Sequence, residues 1–168
     1  MFRSLHFATL ALAGLATIGC SDDATSPDGA AGTTQLVAPA LKSALESTLI
    51  DEWHAEASYA AVLRDFGAVL PFANIIRAEQ RHAASLLNIY ATRGLTVPAN
   101  PYATVPAGFG SFASVAAACA AGVDAEITNI ALYDRALALG PPTDIQFVWE
   151  SNRRASLEQH LPAFTLCR

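Results

Sequence analysis

Between Pro39 and Phe66 apolar residues recur at steps of three and four, through Leu41, Leu45, Leu49, Tyr59, Leu63 and Phe66, and two glutamates, Glu52 and Glu56, fall on the same stripe. That period belongs to an α-helix with one face in a core and excludes a half-buried strand, whose faces alternate every second residue. A carboxylate on a core face needs a hydrogen-bond donor, a cation or a metal to offset its desolvation. The helix must therefore pack against partners that supply one. Asp65 and Gly67 mark its exit.

The pattern returns three times. Pro71 opens PFANIIRAEQRHAASLLNIYATRG, which closes on Arg93 and Gly94 and turns Phe72, Ile75, Glu79, His82, Leu86 and Ile89 inward. A third segment runs from Phe112 to Leu139 with Val115, Cys119, Gly122, Glu126, Ile130, Tyr133 and Leu137 on one side. Gly140, Pro141 and Pro142 break it, and a fourth, about Thr143 to Phe164, aligns Gln146, Glu150, Arg153, Leu157, His160 and Phe164. The stretch 95–111 holds three prolines and two glycines and is no regular helix. The expected fold is all-α, a four-helix bundle. Its short connections join antiparallel neighbours, and the long middle one allows a crossover between helices two and three.

The first 20 residues, MFRSLHFATLALAGLATIGC, have a basic start at Arg3, an apolar run from Phe7 to Ile18 and small residues leading to Cys20. That order reads as a secretory leader, too short to span a bilayer. Its end resembles the lipobox of bacterial lipoproteins, which implies cleavage after residue 19 and lipid on Cys20; Thr17 and Ile18 depart from the usual residues. Residues 20–35 read as the lipid-attachment cysteine and a flexible tether, and 36–168 as one helical domain. Ser21 after the cysteine implies an outer-membrane lipoprotein facing the periplasm, held in the bilayer through acylated Cys20. The alternative is release as a soluble periplasmic protein. A net charge of −5 without a basic run gives no support for nucleic-acid binding.

The inward glutamates and the Glu79-x-x-His82 pair make the four segments resemble the ferritin-like superfamily, particularly rubrerythrin-like di-iron proteins and an uncharacterised bacterial branch of them. The resemblance covers roughly 39–164. It implies one glutamate from each of helices one and three and an ExxH pair from each of helices two and four. Glu52 followed by Tyr59 matches helix one, Glu79 with His82 matches helix two, and Glu126 followed by Tyr133 matches helix three. The separation from Pro142 to Glu150 equals that from Pro71 to Glu79 and sets the fourth pair at Glu150, where the chain reads ESNR, with Arg153 in the histidine position. The implied metal ligands are Glu52, Glu79, His82, Glu126 and Glu150. The implied cofactor is iron or manganese, as one or two ions.

Arg153 leaves three outcomes open. Its guanidinium cannot ligate a metal but pairs with buried carboxylates. It replaces one ion, or it turns the interior into a metal-free arginine–carboxylate network, or it swings to solvent and leaves a two-metal centre. His160 lies about 15 Å along a straight helix from Glu150 and reads as a hydrogen-bonding or packing residue behind the ligands, although HLPAF resembles the tail of the bacterial branch. Tyr59 and Tyr133 are expected beside the ligating carboxylates. Glu56 is either a supplementary ligand or the partner of Arg77, and Trp53, His54 and Trp149 read as packing or surface residues.

Cys119 and Cys167 are the thiols left after Cys20. An exported chain can oxidise them, and an antiparallel third and fourth helix brings them together. The function these readings imply is a cell-envelope lipoprotein binding iron or manganese, with ferrous-iron or peroxide redox chemistry. No rubredoxin-like cysteine set accompanies it, so its electron-transfer or protein partner stays unidentified. The alternative is a metal-free envelope interaction or structural protein built on the arginine–carboxylate network.

Overall fold

The computed structural model describes residues 37–105 and 108–167, and among them every regular element is helical. The leader, Cys20 and the tether lie outside the described residues. Helix α1 spans Pro39–Phe66, α2 Phe72–Thr92, α3 Val115–Leu137 and α4 Thr143–Ala155; a π-helical turn, Ser156–His160, and α5, Leu161–Cys167, follow. Ser156 and Leu161 keep right-handed helical dihedrals, so 143–167 is one continuous fourth helix with a single widened turn.

The boundaries have local causes. Pro39 occupies the first turn of α1, where a missing N–H costs nothing. The Ser114 hydroxyl accepts from the Ala117 N–H at 3.1 Å and caps α3. Gly140 adopts φ +64° just past α3, a conformation that glycine takes without a Cβ penalty, and Pro141 and Pro142 prevent continuation. The expected start of α3 at Phe112 falls three residues early because Ser114 takes the cap.

Helix α1 packs on α2 and α3, α3 on α4 and α5, and α2 on α4. The interior divides into two apolar clusters. One gathers Leu45, Leu49, Leu86, Tyr90, Ile145 and Trp149; the other gathers Tyr59, Val62, Phe72, Ile75, Cys119 and Phe164. Burying each such side chain contributes about 1.5–3 kcal/mol. Between the clusters sits a polar layer of Glu52, Glu79, His82, Glu126, Asn129, Asn152, Ser156 and His160, all buried. Cys119 and Cys167 lie at disulfide distance, with Cα atoms 5.8 Å apart, and tie the start of α3 to the end of α5.

α3 is the described helix long and apolar enough to cross a membrane by length and composition. Its Glu126, Asn129 and Tyr133 belong to the hydrogen-bonded interior of this domain.

Candidate metal centre

Each helix contributes to the polar layer where its buried stripe passes midway between the apolar clusters. Helix α1 places Glu52, wholly buried, and α2 places Glu79 and His82 one turn apart. Helix α3 places Glu126, and the π turn places His160. His82 Nδ1 stands 2.9 Å from Glu79 Oε2 and 3.3 Å from Glu52 Oε2. His160 Nδ1 stands 3.1 Å from Glu79 Oε1 and 3.5 Å from Glu126 Oε2. The two imidazoles stack with centroids 5.5 Å apart.

The geometry forms two trios, Glu52–Glu79–His82 and Glu79–Glu126–His160, and within each trio the ligand atoms lie within 4.8 Å of one another. Glu79 belongs to both, one carboxylate oxygen toward each histidine.

Around the trios a hydrogen-bond network fixes the carboxylates from behind. The Tyr59 hydroxyl donates to Glu126 Oε1 at 2.8 Å, and the Tyr133 hydroxyl donates to Glu52 Oε1 at 2.5 Å. Asn152 donates to the Tyr133 oxygen at 3.0 Å. The Asn129 amide donates to Asp51 at 2.8 Å and approaches Glu52 Oε1 at 3.4 Å, while its carbonyl accepts from Ser156 at 2.8 Å. The ligand atoms are less well served. Glu52 Oε2 and His160 Nδ1 have only their carboxylate–imidazole contacts, at 3.3 Å to His82 and 3.1 Å to Glu79, and His160 Nε2 is buried without a partner. Buried polar atoms left so carry a desolvation penalty that a cation between them would remove.

The electrostatics carry the same imbalance. Burial pushes the Glu52 carboxyl up, and the Glu79 charge adds to this against the hydrogen bond from His82, so that it sits at about 7. Burial opposes the charged form of His82, but the carboxylates of Glu52 and Glu79 outweigh it and carry the imidazole to about 9. Burial likewise opposes charge on His160, and Glu126 and Glu79 carry it to about 10. Burial pushes Glu79 up, yet hydrogen bonds from His160 and His82 hold it below the ordinary carboxylate range. Without a metal, protons on the histidines must balance the carboxylates; a bound cation takes over that role and releases them.

Four of the expected ligands, Glu52, Glu79, His82 and Glu126, converge, and Tyr59 and Tyr133 stand against two of them. Glu150 does not. It is exposed and accepts from Gln146 at 2.7 Å. Arg153 also points away, pairing with Asp134 at 2.5 Å, so of the three outcomes left open it takes the outward one, and the alternative arginine–carboxylate core network does not form. The error is one of register: the buried stripe of α4 runs through Ile145, Trp149, Asn152 and Ser156, one residue before the face expected. The π turn then shifts the stripe and brings His160 into the centre, where it lies within 3.5 Å of two carboxylates and corrects its expected place behind the ligands. Glu56 lies outside both trios and does not meet Arg77: it accepts from Gln80 at 2.9 Å, and Arg77 bonds Asn74. Trp149 is a core residue whose indole N–H donates to Thr48 at 3.2 Å, whereas His54 is exposed, its ring near Tyr102 and Phe109.

Asn129, Asn152 and Ser156 were not anticipated. Asn129 was legible as the residue one turn after Glu126 on the same face; Asn152 and Ser156 follow from the Ile145–Trp149 stripe once that is taken as the core.

Comparison of the chain with protein-family models, with curated proteins and with solved structures found no match.

Proposed function

We propose that this chain is a ferritin-like metal-binding protein of the cell envelope, whose buried centre holds two ions of iron or manganese and serves ferrous-iron or peroxide redox chemistry. The observation that carries the reading is the pair of trios sharing Glu79, with Glu52 Oε2 and His160 Nδ1 held only by carboxylate–imidazole ion pairs and His160 Nε2 without a partner. Three carboxylates and two imidazoles are a donor set suited to manganese and ferrous iron.

Glu52, Glu79 and His82 would hold one ion, and Glu79, Glu126 and His160 the other. Bound there, such ions supply one-electron redox capacity and positions that exchange water for a small oxidant. The chain's own residues do the rest. Tyr133 and Tyr59 hold one oxygen of Glu52 and of Glu126, leaving the second oxygen of each free to face a cation. Asn129 and Asn152 orient that hydrogen-bonded side, and the apolar clusters on either flank keep bulk water out.

The order of the clusters along the helices supports the ferritin-like crossover. α1 passes from the Leu45 cluster through Glu52 to the Tyr59 cluster, and the fourth helix from Ile145 through His160 to Phe164. α2 and α3 pass the opposite way, from Phe72 to Leu86 and from Cys119 to Tyr133. Parallel α2 and α3 require a connection that travels the length of the bundle. The envelope location rests on the leader and Cys20, and the Cys119–Cys167 pairing suits an oxidising compartment.

Metal content after incubation with ferrous iron or manganese(II), followed by removal of free ions, tests the reading. Two ions per chain and a raised melting temperature are expected, with both ions lost in Glu79→Ala and one in His82→Ala. No stoichiometric metal and an unchanged melting temperature would leave the metal-free alternative, a cluster balanced by protonated histidines.

A further inference from the structure

The centre is closed by apolar clusters along the bundle axis but not on the side between α1 and α3. A cavity of about 270 Å³ opens there. Glu79, Glu126 and Tyr59 are among its lining residues, and Asp51, Asp124 and Thr128 line it as well. Asp124 and Thr128 are exposed and Asp51 is half-buried, whereas Glu79 and Glu126 are each 2% exposed. The cavity thus runs from a carboxylate-bearing surface to the carboxylates of the centre.

Three features fix what it admits. The first is charge: Glu79 and Glu126 at the inner end are paired with His160, but Asp51 and Asp124 nearer the surface add two further carboxylates, and the lining includes His54 but no lysine or arginine. A cleft lined by one sign of charge between low-dielectric walls concentrates ions of the other sign and repels anions. The second is size. A divalent cation with six waters occupies about 180 Å³ at roughly 30 Å³ per water, which the cavity accommodates without stripping the hydration shell. The third is the destination, because His160, 2% exposed and with Nε2 unpartnered, holds its Nδ1 within 3.5 Å of Glu79 and Glu126, both of which line the cavity. The Asn129 amide bonds Asp51 and approaches Glu52, so the half-buried carboxylate and the deepest one share a single support.

We infer that the α1–α3 cavity is the loading route of the centre, through which free hydrated divalent cations pass from Asp124 and Asp51 to Glu79 and Glu126. This rests on the metal-centre reading and adds to it the path, the form of the ion and two residues outside the ligand set. Rim and ligands act at different stages: Asp51 and Asp124 set how fast an ion arrives, and the trios set how tightly it stays.

Stopped-flow absorbance of cobalt(II) binding to the full chain separates these stages. Asp51→Asn with Asp124→Asn should slow association about ten-fold at low ionic strength, the lower end of electrostatic steering, and the gap to wild type should narrow in high salt. Thr128→Trp, an exposed position where the added bulk spares the core, should slow both association and release at every ionic strength while the final cobalt stoichiometry stays at the wild-type value. Wild-type rates in both variants, with cobalt still bound by wild type, would overturn the route alone and direct attention to the slightly exposed edge of His82. A wild-type protein that takes up no cobalt would overturn the metal reading together with the route.

Discussion

Tyr133→Phe isolates one atom of the network and permits a worked magnitude. The ring is fully buried, and phenylalanine retains its volume, so no cavity term enters. What goes is an oxygen that donates to Glu52 and accepts from Asn152. Losing a hydrogen bond to a carboxylate costs about 1.5–3 kcal/mol, and leaving the buried Asn152 donor unpaired adds about 1–3 kcal/mol. A destabilisation of about 3 kcal/mol follows, or roughly 10 °C in melting temperature for a domain of this size. Tyr59→Phe is the internal control. Its hydroxyl also bonds a buried carboxylate, Glu126, but no side chain donates to it, so the cost should be about half as large. Adding Asn152→Leu to Tyr133→Phe removes the orphaned donor and should recover about 1 kcal/mol. Urea and thermal melts of the chelator-treated protein measure all three. Equal losses for the two tyrosine variants, or no recovery in the double variant, would refute the network as described.

The metal-free fold should lose stability as pH rises. His82 and His160, raised to about 9 and 10, contribute fully below their unfolded value near 6.5 and lose that contribution as pH climbs through 9–10. Glu52, raised to about 7, adds a fall between about 4.5 and 7. Melting temperatures with chelator should therefore decline from mildly acid to alkaline pH, while the increment from added manganese grows, because binding displaces those protons; a flat chelator profile would count against the protonated cluster. Reduction of Cys119–Cys167, 48 residues apart, should cost about 4 kcal/mol of chain-entropy stabilisation, read as a shift of the urea midpoint with reductant. Glu150→Gln and Arg153→Gln should leave metal stoichiometry unchanged and stability within about 0.5 kcal/mol, whereas His160→Leu should remove one ion. A loss of metal in either surface variant would reinstate the ESNR register.

Much of the centre was legible because three helices are regular. In α1, α2 and α3 a 3.6-residue period carries the stripe unbroken from apolar residues to Glu52, to Glu79 and His82, and to Glu126, and prolines and glycines bound the segments. The fourth helix was misread for two separable reasons. Equal Pro-to-Glu separations in helices two and four suggested Glu150, although Ile145 and Trp149 define the apolar stripe and exclude it. The π turn at 156–160 then adds a residue to the helical repeat, a displacement that no periodic reading of the sequence contains. The period does turn His160 inward, but these two effects place it behind the ligands and conceal that it completes the second trio. Hydrogen bonds such as Asn129 to Asp51 join positions 78 apart and depend on side-chain directions across the α1–α3 interface, which period alone does not specify.

Whether cations occupy the two trios is decided most directly by crystals grown with manganese(II) and measured near its absorption edge. Two anomalous peaks are predicted on either side of the Glu79 carboxylate, one against Glu52 and His82, the other against Glu126 and His160. Absence of anomalous density between these residues, with His82 and His160 still bonded directly to the carboxylates, would contradict the two-ion centre.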